Sequence, residues 1–338
     1  MSKPLIVPVF IPHFGCPHTC VFCNQKKIAG DYQLPSGQLL EDMVQAYRMS
    51  SSSKTREVQL AFYGGSFTGL EEAQQRQLLS AAAELKARGL IDKIRLSTRP
   101  DYIDEERLTL LTGYQADIIE LGVQSMDEAV LKASQRGHTA EDVLRAVEWI
   151  RSYPQFALGL QMMVALPADT PAKSLATAKK IAALAPDFVR IYPTAIIKDT
   201  ALALAWQRGD YEPWPMERIL DTTASIWDIF YQAHIPVIRI GLQATDNLRL
   251  EQDLLGGAYH PALGEMVKSR WYRNRLEALL SSRAEAQTLT VYCNPADISQ
   301  FVGQHRANIA YFAQQYQLTL HVVGDERLPR ESFNWEFS

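Results

Sequence analysis

The sequence predicts an α/β fold, a partial (βα)6-type barrel over residues 1–245 followed by a small C-terminal α/β domain over residues 246–338. Short apolar runs rich in β-branched and aromatic residues alternate with longer segments of helical periodicity. Strands separated by helices at this interval pair in parallel, because a parallel neighbour requires a crossover connection. The alternation stops after about residue 243, which predicts a second and smaller domain beyond that point.

The elements of the barrel follow from periodicity and from end signals. Gly89 is typical of the residue just after a helix, and Thr139 begins a helix with a capping box in which Asp142 replaces the usual Glu. Thr170 precedes Pro171, a residue favoured in the first helical turn. Six or seven βα units close into a full or partial barrel, whose functional residues lie at the carboxyl ends of the strands. The predicted strands are residues 5–11, 58–63, 93–97, 118–123, 158–165, 188–192 and 237–240.

The amino-acid composition limits the classes of protein to which the chain can belong. The hydrophobic content of 47% is normal for a globular chain, and a net charge of −4 gives no general attraction to nucleic acid or anionic membranes, although a local basic patch is compatible with it. Four cysteines, three of them bunched, do not form a secreted disulfide framework and indicate a reducing compartment. No signal peptide and no apolar run of roughly 20 residues is found. We therefore expect a cytoplasmic protein that does not bind membranes.

Three cysteines, Cys16, Cys20 and Cys23, follow the first predicted strand with the spacing C-x3-C-x2-C. Thiolates this close on one loop can hold three corners of a four-iron cluster and leave one iron for a ligand outside the protein. The alternative is a structural zinc site with His13 or His18 as the fourth ligand. Zinc sites more often combine two separated pairs of ligands, and the sequence has no second pair.

This cysteine loop, placed after the first strand of a βα array, resembles that of the radical S-adenosylmethionine (SAM) superfamily. The resemblance implies that the three cysteines hold a [4Fe–4S] cluster whose free iron chelates the amino and carboxylate groups of SAM. An electron donor such as ferredoxin or flavodoxin would then drive release of a 5′-deoxyadenosyl radical. The stretch Tyr63-Gly64-Gly65-Ser66 at the end of the second strand is similar to the superfamily motif whose backbone binds the methionine amino group.

Three further stretches, residues 97–102, 120–125 and 136–139, resemble the radical domain of the catalytic subunit of Elongator, a family that modifies wobble uridines in transfer RNA. Elongator subunits space their first two cysteines further apart and carry an acetyltransferase domain. The resemblance is therefore to short bacterial radical proteins related to Elongator. It implies that residues at the strand ends contact SAM. Arg99 would bind the carboxylate, Met163 would lie against the adenine, and Glu120, Gln124 and Ser125 would contact the ribose or the methionine. Arg190 and Tyr192 would face the mouth of the barrel.

Each of these residues also has an ordinary structural interpretation. Arg99 can brace a loop, and a methionine such as Met163 belongs more often to a core. His138 is predicted to brace a loop rather than to act in catalysis. Lys26 and Lys27, after the cysteine loop, are interpreted as solvated.

The C-terminal segment of about 287–324 has a predicted β-α-loop-α-β order that resembles the minimal KH module, which clamps a nucleic-acid backbone with a Gly-x-x-Gly loop. The corresponding loop is Gly303-Gln304-His305-Arg306, with Arg in place of the second glycine. The alternative is a small α/β cap that closes the barrel. The sequence thus predicts a radical SAM enzyme that modifies tRNA or another RNA, with RNA bound through the C-terminal domain.

Two other functions stay open. A radical SAM enzyme could act on a small molecule, but the porphyrinogen-oxidising relatives carry Gly-Gly-Gly-Thr-Pro where this chain has Gly64-Gly65-Ser66-Phe67-Thr68. The second alternative is a non-catalytic RNA-binding protein whose metal site is structural.

Overall fold

The computed structural model describes residues 4–11, 16, 19–24, 34–51, 56–242, 253–280 and 287–338. These residues form two compact units that interleave along the chain. The first unit comprises Met1–Trp214 and Phe230–Tyr259, and the second comprises Pro215–Ile229 and His260–Ser338. The domain division at residue 245 stays a prediction.

A parallel seven-stranded sheet forms the centre of the first unit, with the strand order β1-β2-β3-β4-β5-β6-β8. The predicted α/β class and the seven predicted strands are confirmed, and each strand lies beside the next strand of the same sheet. The strands are β1 (Leu5–Phe10), β2 (Val58–Tyr63), β3 (Lys93–Thr98), β4 (Ile118–Gln124), β5 (Ala157–Val164), β6 (Phe188–Pro193) and β8 (Val237–Ile240).

Helices connect these strands and cover the outer face of the sheet. Side-chain caps fix where several of them begin: Asp104 accepts a hydrogen bond from Arg107 N, and Thr139 and Asp142 form the predicted capping box. The helices of the first unit are α1 (Gly37–Ser50), α2 (Glu72–Ala87), α3 (Glu105–Gly113), α4 (Glu128–Ala133), α5 (Ala140–Arg151), α6 (Pro171–Ala183) and α7 (Ala201–Gln207). The next helix, α8 (Met216–Gln232), has most of its residues in the second unit.

The sheet is strongly curled, as in a partial barrel. Tyr63 Oη on β2 lies 2.8 Å from Arg190 Nη2 on β6. In a flat sheet these strands, four positions apart, would be separated by about 19 Å. The curl therefore brings side chains of non-adjacent strands together on the inner face, above which the carboxyl ends of the strands meet.

The two faces of the sheet differ in chemistry. On β5, Leu158, Leu160 and Met162 are buried on the outer face, whereas Gln161 and Met163 are half-buried on the inner one. Apolar residues on the outer face pack against the helices that cover it, as expected for a parallel sheet. The inner face instead carries polar and charged side chains, which are expensive to bury unless they are paired.

A small antiparallel pair completes the first unit. Strand β7 (Ala195–Ile197) pairs with β9 (Leu254–Gly257). Gly257 has a φ of +83°, and a Cβ there would lie 2.7 Å from Thr194 O. Glycine is thus required for this close backbone approach.

The second unit packs helices against a three-stranded sheet of order β11-β10-β12. Strand β10 pairs in parallel with β11 and antiparallel with β12, and the aromatic rings of Tyr272, Phe301 and Phe333 form its core. The predicted order of strand, helices and strand is present, and β12 was not predicted. The elements are α9 (Leu263–Leu280), β10 (Thr288–Cys293), α10 (Ile298–Val302), α11 (Ala307–Tyr316), β11 (Thr319–Gly324) and β12 (Phe333–Phe337). Within the described ranges, no helix has the length and apolar character to cross a bilayer.

Candidate active site

The described part of the cysteine loop, residues 16 and 19–24, lies after β1 at the carboxyl edge of the sheet. Cys20 is buried and Cys16 and Cys23 are half-buried, and the backbone N–H of Cys23 donates to the Cys20 carbonyl over 3.0 Å. Val21 fixes the loop on two sides, because its N–H donates to Ser134 O (3.2 Å) and its carbonyl accepts from Leu202 N (2.7 Å). The loop is therefore held between the end of α4 and the start of α7.

Apolar packing holds the same loop. Val21 is buried in a cluster with Ile196, Leu202 and Tyr211, against which Phe22 packs. The segment that follows β6 was not predicted to have this role. The sequence does contain a signal for this packing. Two apolar residues, Val21 and Phe22, stand between Cys20 and Cys23, and such a pair is unusual in a solvated loop.

Two buried arginines face the cysteines. Arg136 Nη1 donates to Cys20 Sγ over 3.3 Å, and its Nη2 donates to Gly122 O over 2.8 Å. Arg99 forms a bidentate ion pair with Asp101, with N···O distances of 2.9 and 2.8 Å. Burial disfavours the charge on Arg99, but the ion pair with Asp101 outweighs it and raises the pKa of Arg99 above the ordinary value.

The Gly-Gly turn is fixed at the ends of β2 and β3. Gly64 has a φ of +97°, a conformation that glycine adopts without strain. Ser66 is buried, and its Oγ lies 2.8 Å from Thr98 Oγ1 and accepts from Arg99 N over 3.3 Å. The side chain of Ser66 therefore joins two strand ends, and the backbone of the turn is presented at the carboxyl edge of the sheet.

Glu120, on the inner face of β4, is fully buried and surrounded by partners. Its Oε1 accepts from Tyr63 Oη (3.0 Å) and lies 3.1 Å from Arg95 Nη1, and its Oε2 lies 2.7 Å from Arg190 Nε. Gln161 Nε2 donates to Oε2 over 2.8 Å. We call Tyr63, Arg95, Glu120, Gln161 and Arg190 the Glu120 network. It joins β2, β3, β4, β5 and β6.

Arg95 and Gln161 were not predicted as site residues. Arg95 lies five positions before Pro100 in the middle of β3, and its guanidinium stacks on the Phe188 ring with 4.8 Å between Cζ and the centroid. The sequence signal was clearer for Gln161, the one polar side chain of β5, than for Arg95, because β3 also contains Lys93, Ser97 and Thr98. Such polar residues are seldom buried without partners.

Contacts within the Glu120 network shift the pKa values of two of its residues, Tyr63 and Arg190. Burial, and then the charge of Glu120, raise the pKa of Tyr63 above the ordinary value. Burial opposes the charge on Arg190, but Tyr192 and Glu120 outweigh it and raise the pKa of Arg190. Both side chains therefore keep their ordinary protonation state, a neutral phenol and a cationic guanidinium, throughout the physiological range.

The other residues predicted to contact SAM lie at or near the carboxyl ends of β4, β5 and β6. Gln124 ends β4 with a φ of +63°, and Met163 and Tyr192 are half-buried and adjacent in register on β5 and β6. Tyr192 Oη accepts from Arg190 Nη1 over 3.3 Å. The Ser125 hydroxyl lies 3.3 Å from Thr177 Oγ1 of α6, so in this structure it contacts a helix. The histidines His13 and His18 and the lysines Lys26 and Lys27 lie outside the described residues.

His138 has the bracing position that the sequence predicted. It is buried, and its Nε2 donates to Val123 O on β4 over 3.2 Å. Burial, and then the charge of Arg136, lower the pKa of His138 to about 3. The folded protein therefore keeps this imidazole neutral well below the pH at which an exposed histidine is protonated.

We expect the apo protein to lose stability as the pH falls below 6.5, because the unfolded chain then binds a proton on His138 that the folded chain does not bind until about pH 3. At pH 5 the loss from this residue is about 2 kcal/mol relative to pH 7.5. Urea unfolding of the apo protein at the two pH values measures it. His138→Gln should remove about 2 kcal/mol of the pH dependence, whereas His321→Gln, at an exposed position, should leave it unchanged.

Sequence comparison decides the family. Residues 10–181, which include the cysteine loop and the strands β2 to β5, match the Radical SAM superfamily, and residues 186–273 match the Radical_SAM C-terminal domain. The first match alone covers just over half of the 338 residues. The chain belongs to the radical SAM superfamily. Members of this superfamily are enzymes, and the chain is therefore a radical SAM enzyme.

Named relatives agree with the Elongator-like resemblance. The chain is 28% identical over 191 residues to the tRNA uridine(34) acetyltransferase of Methanocaldococcus infernus, covering 49% of this chain and 35% of that protein. It is 27% identical to an uncharacterized protein of Methanocaldococcus jannaschii, covering 62% of this chain and 67% of the relative. The chain thus spans about a third of the acetyltransferase that it matches.

A solved structure shows the same fold. The archaeal Elp3 of Methanocaldococcus infernus superposes with a TM-score of 0.61 at 20% sequence identity, over 82% of this chain and 64% of that chain. This confirms the radical SAM fold with a C-terminal domain, as the sequence predicted.

The donor set of the cysteine loop, three thiols on one short segment, fits a four-iron cluster. A zinc ion gathers four ligands within about 2.3 Å of itself, whereas a four-iron cluster takes each thiolate on a different iron. Arg136 and Arg99, beside the thiols, suit the negative charge of a cluster bound by thiolates.

Proposed function

We propose that this radical SAM enzyme binds a [4Fe–4S] cluster through Cys16, Cys20 and Cys23 and uses it to cleave SAM. The observation that carries the proposal is the fixed cysteine loop at the carboxyl edge of the sheet, with a buried guanidinium donating to the Cys20 sulfur. When bound, the cluster supplies the electron that breaks a carbon–sulfur bond of SAM.

The chain's own residues would bind and orient SAM around that loop. The backbone of Gly64 and Gly65 offers groups to the methionine amino end, since no side chain blocks the turn. The buried Nη1 of Arg99 has no hydrogen-bond partner among the described residues, so it is available to the SAM carboxylate. Gln124 and Met163 lie on the inner face, where we place the ribose and the adenine.

Other predicted contacts act less directly in this proposal. Ser66 and Ser125 hold the strand ends through Thr98 and Thr177, so they position the turns that contact SAM. The Glu120 network, with Tyr192 above it, forms the floor of the barrel beneath the substrate. Because its carboxylate is fully partnered, Glu120 fixes Tyr63 and Arg190 rather than reacting itself.

We propose RNA, and specifically tRNA, as the substrate. Relatives named as tRNA uridine(34) acetyltransferases support this, as does the second unit, whose β10-α10-α11-β11 order resembles the minimal KH module. In the loop between its helices, His305 and Arg306 are exposed and both have positive φ, of +51° and +62°. The exposed guanidinium of Arg306, beside the exposed imidazole of His305, suits contact with a phosphate backbone. A cytoplasmic one-electron donor such as ferredoxin or flavodoxin would be the partner that reduces the cluster.

Comparison of tRNA nucleosides tests the substrate. Digests from a deletion strain and its parent, analysed by liquid chromatography and mass spectrometry, should differ by the loss of at least one modified nucleoside. The gene for Cys293→Ala should restore it and the gene for Cys20→Ala should not. Identical nucleoside profiles in all strains would remove tRNA as the substrate and leave the cleavage of SAM untouched.

A further inference from the structure

Arg136 is a buried cation that forms no ion pair with an acidic side chain among the described residues. It is 8% exposed, and its two terminal nitrogens donate to Cys20 Sγ and to the Gly122 carbonyl. Its Nε is buried and has no hydrogen-bond partner among the described residues. Arg99, the other arginine near the cysteines, differs because Asp101 pairs with it at 2.8 Å.

The backbone of β4 is shaped to hold this guanidinium. A Cβ at Gly122 would lie 2.7 Å from Arg136 Nη2 and 2.8 Å from Gln124 Nε2, closer than such atoms can approach. The pairing of β4 with β5 shifts register between Gly122 and Gln124. Glycine at 122 therefore makes the space in which Arg136 reaches both its carbonyl and Cys20.

A cation in this place affects a cluster on Cys20 in a definite direction. One-electron reduction makes a thiolate-bound cluster more negative, so a donated N–H···S bond and a buried positive charge stabilise the reduced state more than the oxidised state. The effect is large because burial leaves the interaction poorly screened.

We propose that Arg136 is a positioning residue that raises the reduction potential of the cluster through its bond to Cys20. This inference rests on the proposed function, since it requires the cluster to be bound by the cysteine loop. It assigns to Gly122 the task of holding Arg136 in place. Arg99, with its charge matched by Asp101, has the smaller influence.

A redox titration of the reconstituted full-length enzyme without SAM tests this inference. At the wild-type midpoint, where half of the cluster is reduced, Arg136→Gln should lower the ratio of reduced to oxidised cluster at least tenfold, a shift of about −59 mV for one electron. Arg136→Lys should shift less. Gly122→Ala, which keeps the charge but displaces the guanidinium, should shift in the same direction. Arg145→Gln, on the exposed side of α5, should match the wild type.

The possible results separate the two proposals. A wild-type protein that binds no cluster would refute the proposed function. Loaded Arg136→Gln enzyme with the wild-type midpoint would refute the inference, and a weaker affinity for SAM in that variant would assign Arg136 to SAM instead. If Arg136→Gln retains no cluster, the Arg136→Lys and Gly122→Ala variants decide, and wild-type midpoints in both would overturn the inference.

Discussion

Replacing Cys16, Cys20 or Cys23 by alanine is expected to abolish binding of the iron–sulfur cluster. In the proposed cluster each thiolate would hold a different iron, and the described residues contain no further cysteine in the first unit that could replace it. After anaerobic reconstitution, the wild-type protein should contain about four irons and four sulfides per chain and be brown. Each alanine variant should be nearly colourless, with iron close to zero.

Cys293→Ala is the matched control for these variants. Cys293 lies in β10 of the second unit and is fully buried, and burial raises the pKa of its thiol to about 11. It is therefore an inert thiol, and the variant should load its cluster fully. Full iron in any of the three loop variants would contradict the assignment. Zinc without iron in anaerobically purified protein would instead support the structural metal site that the sequence left open.

Glu120→Ala is expected to destabilise the folded protein by about 3–5 kcal/mol, because it leaves two buried guanidinium groups without their shared carboxylate. Arg95 and Arg190 would then repel one another in the interior of the barrel. Urea denaturation measures the loss through the midpoint and slope of the transition. Glu120→Gln keeps the shape of the side chain but not its charge, so it should lose most of the same stability.

Glu72→Gln provides the control, since Glu72 pairs with Arg76 on the exposed surface of α2. A change there should be within about 0.5 kcal/mol. If Glu120→Gln were as stable as the wild type, the carboxylate would not hold the curled sheet together. The Glu120 network would then have to be interpreted as a binding surface for substrate.

The order of elements in the barrel could be predicted because each strand and helix carries its own local signal. Strand ends were placed within about a residue: β4 ends at Gln124 where the prediction ended at residue 123, and β5 covers Ala157–Val164 where it was predicted at 158–165. The cysteine motif predicted the superfamily because its spacing is local in sequence. Because the motif follows β1, its place at the carboxyl edge of the sheet could also be predicted.

The contacts that organise the site could not be predicted, because they join residues far apart in sequence. The bond from Arg136 to Cys20 spans 116 positions, and that from Arg190 to Tyr63 spans 127. Both depend on how tightly the sheet curls, which no local pattern specifies. The pairing of β7 with β9, which builds the support for Val21, is non-local for the same reason.

Formation of 5′-deoxyadenosine tests the central claim most directly. Anaerobically reconstituted protein, incubated with SAM and dithionite, should release 5′-deoxyadenosine that mass spectrometry detects, and Cys293→Ala should behave in the same way. Cys20→Ala should release none. Absence of 5′-deoxyadenosine from wild-type protein that carries its full complement of iron and sulfide would contradict the account.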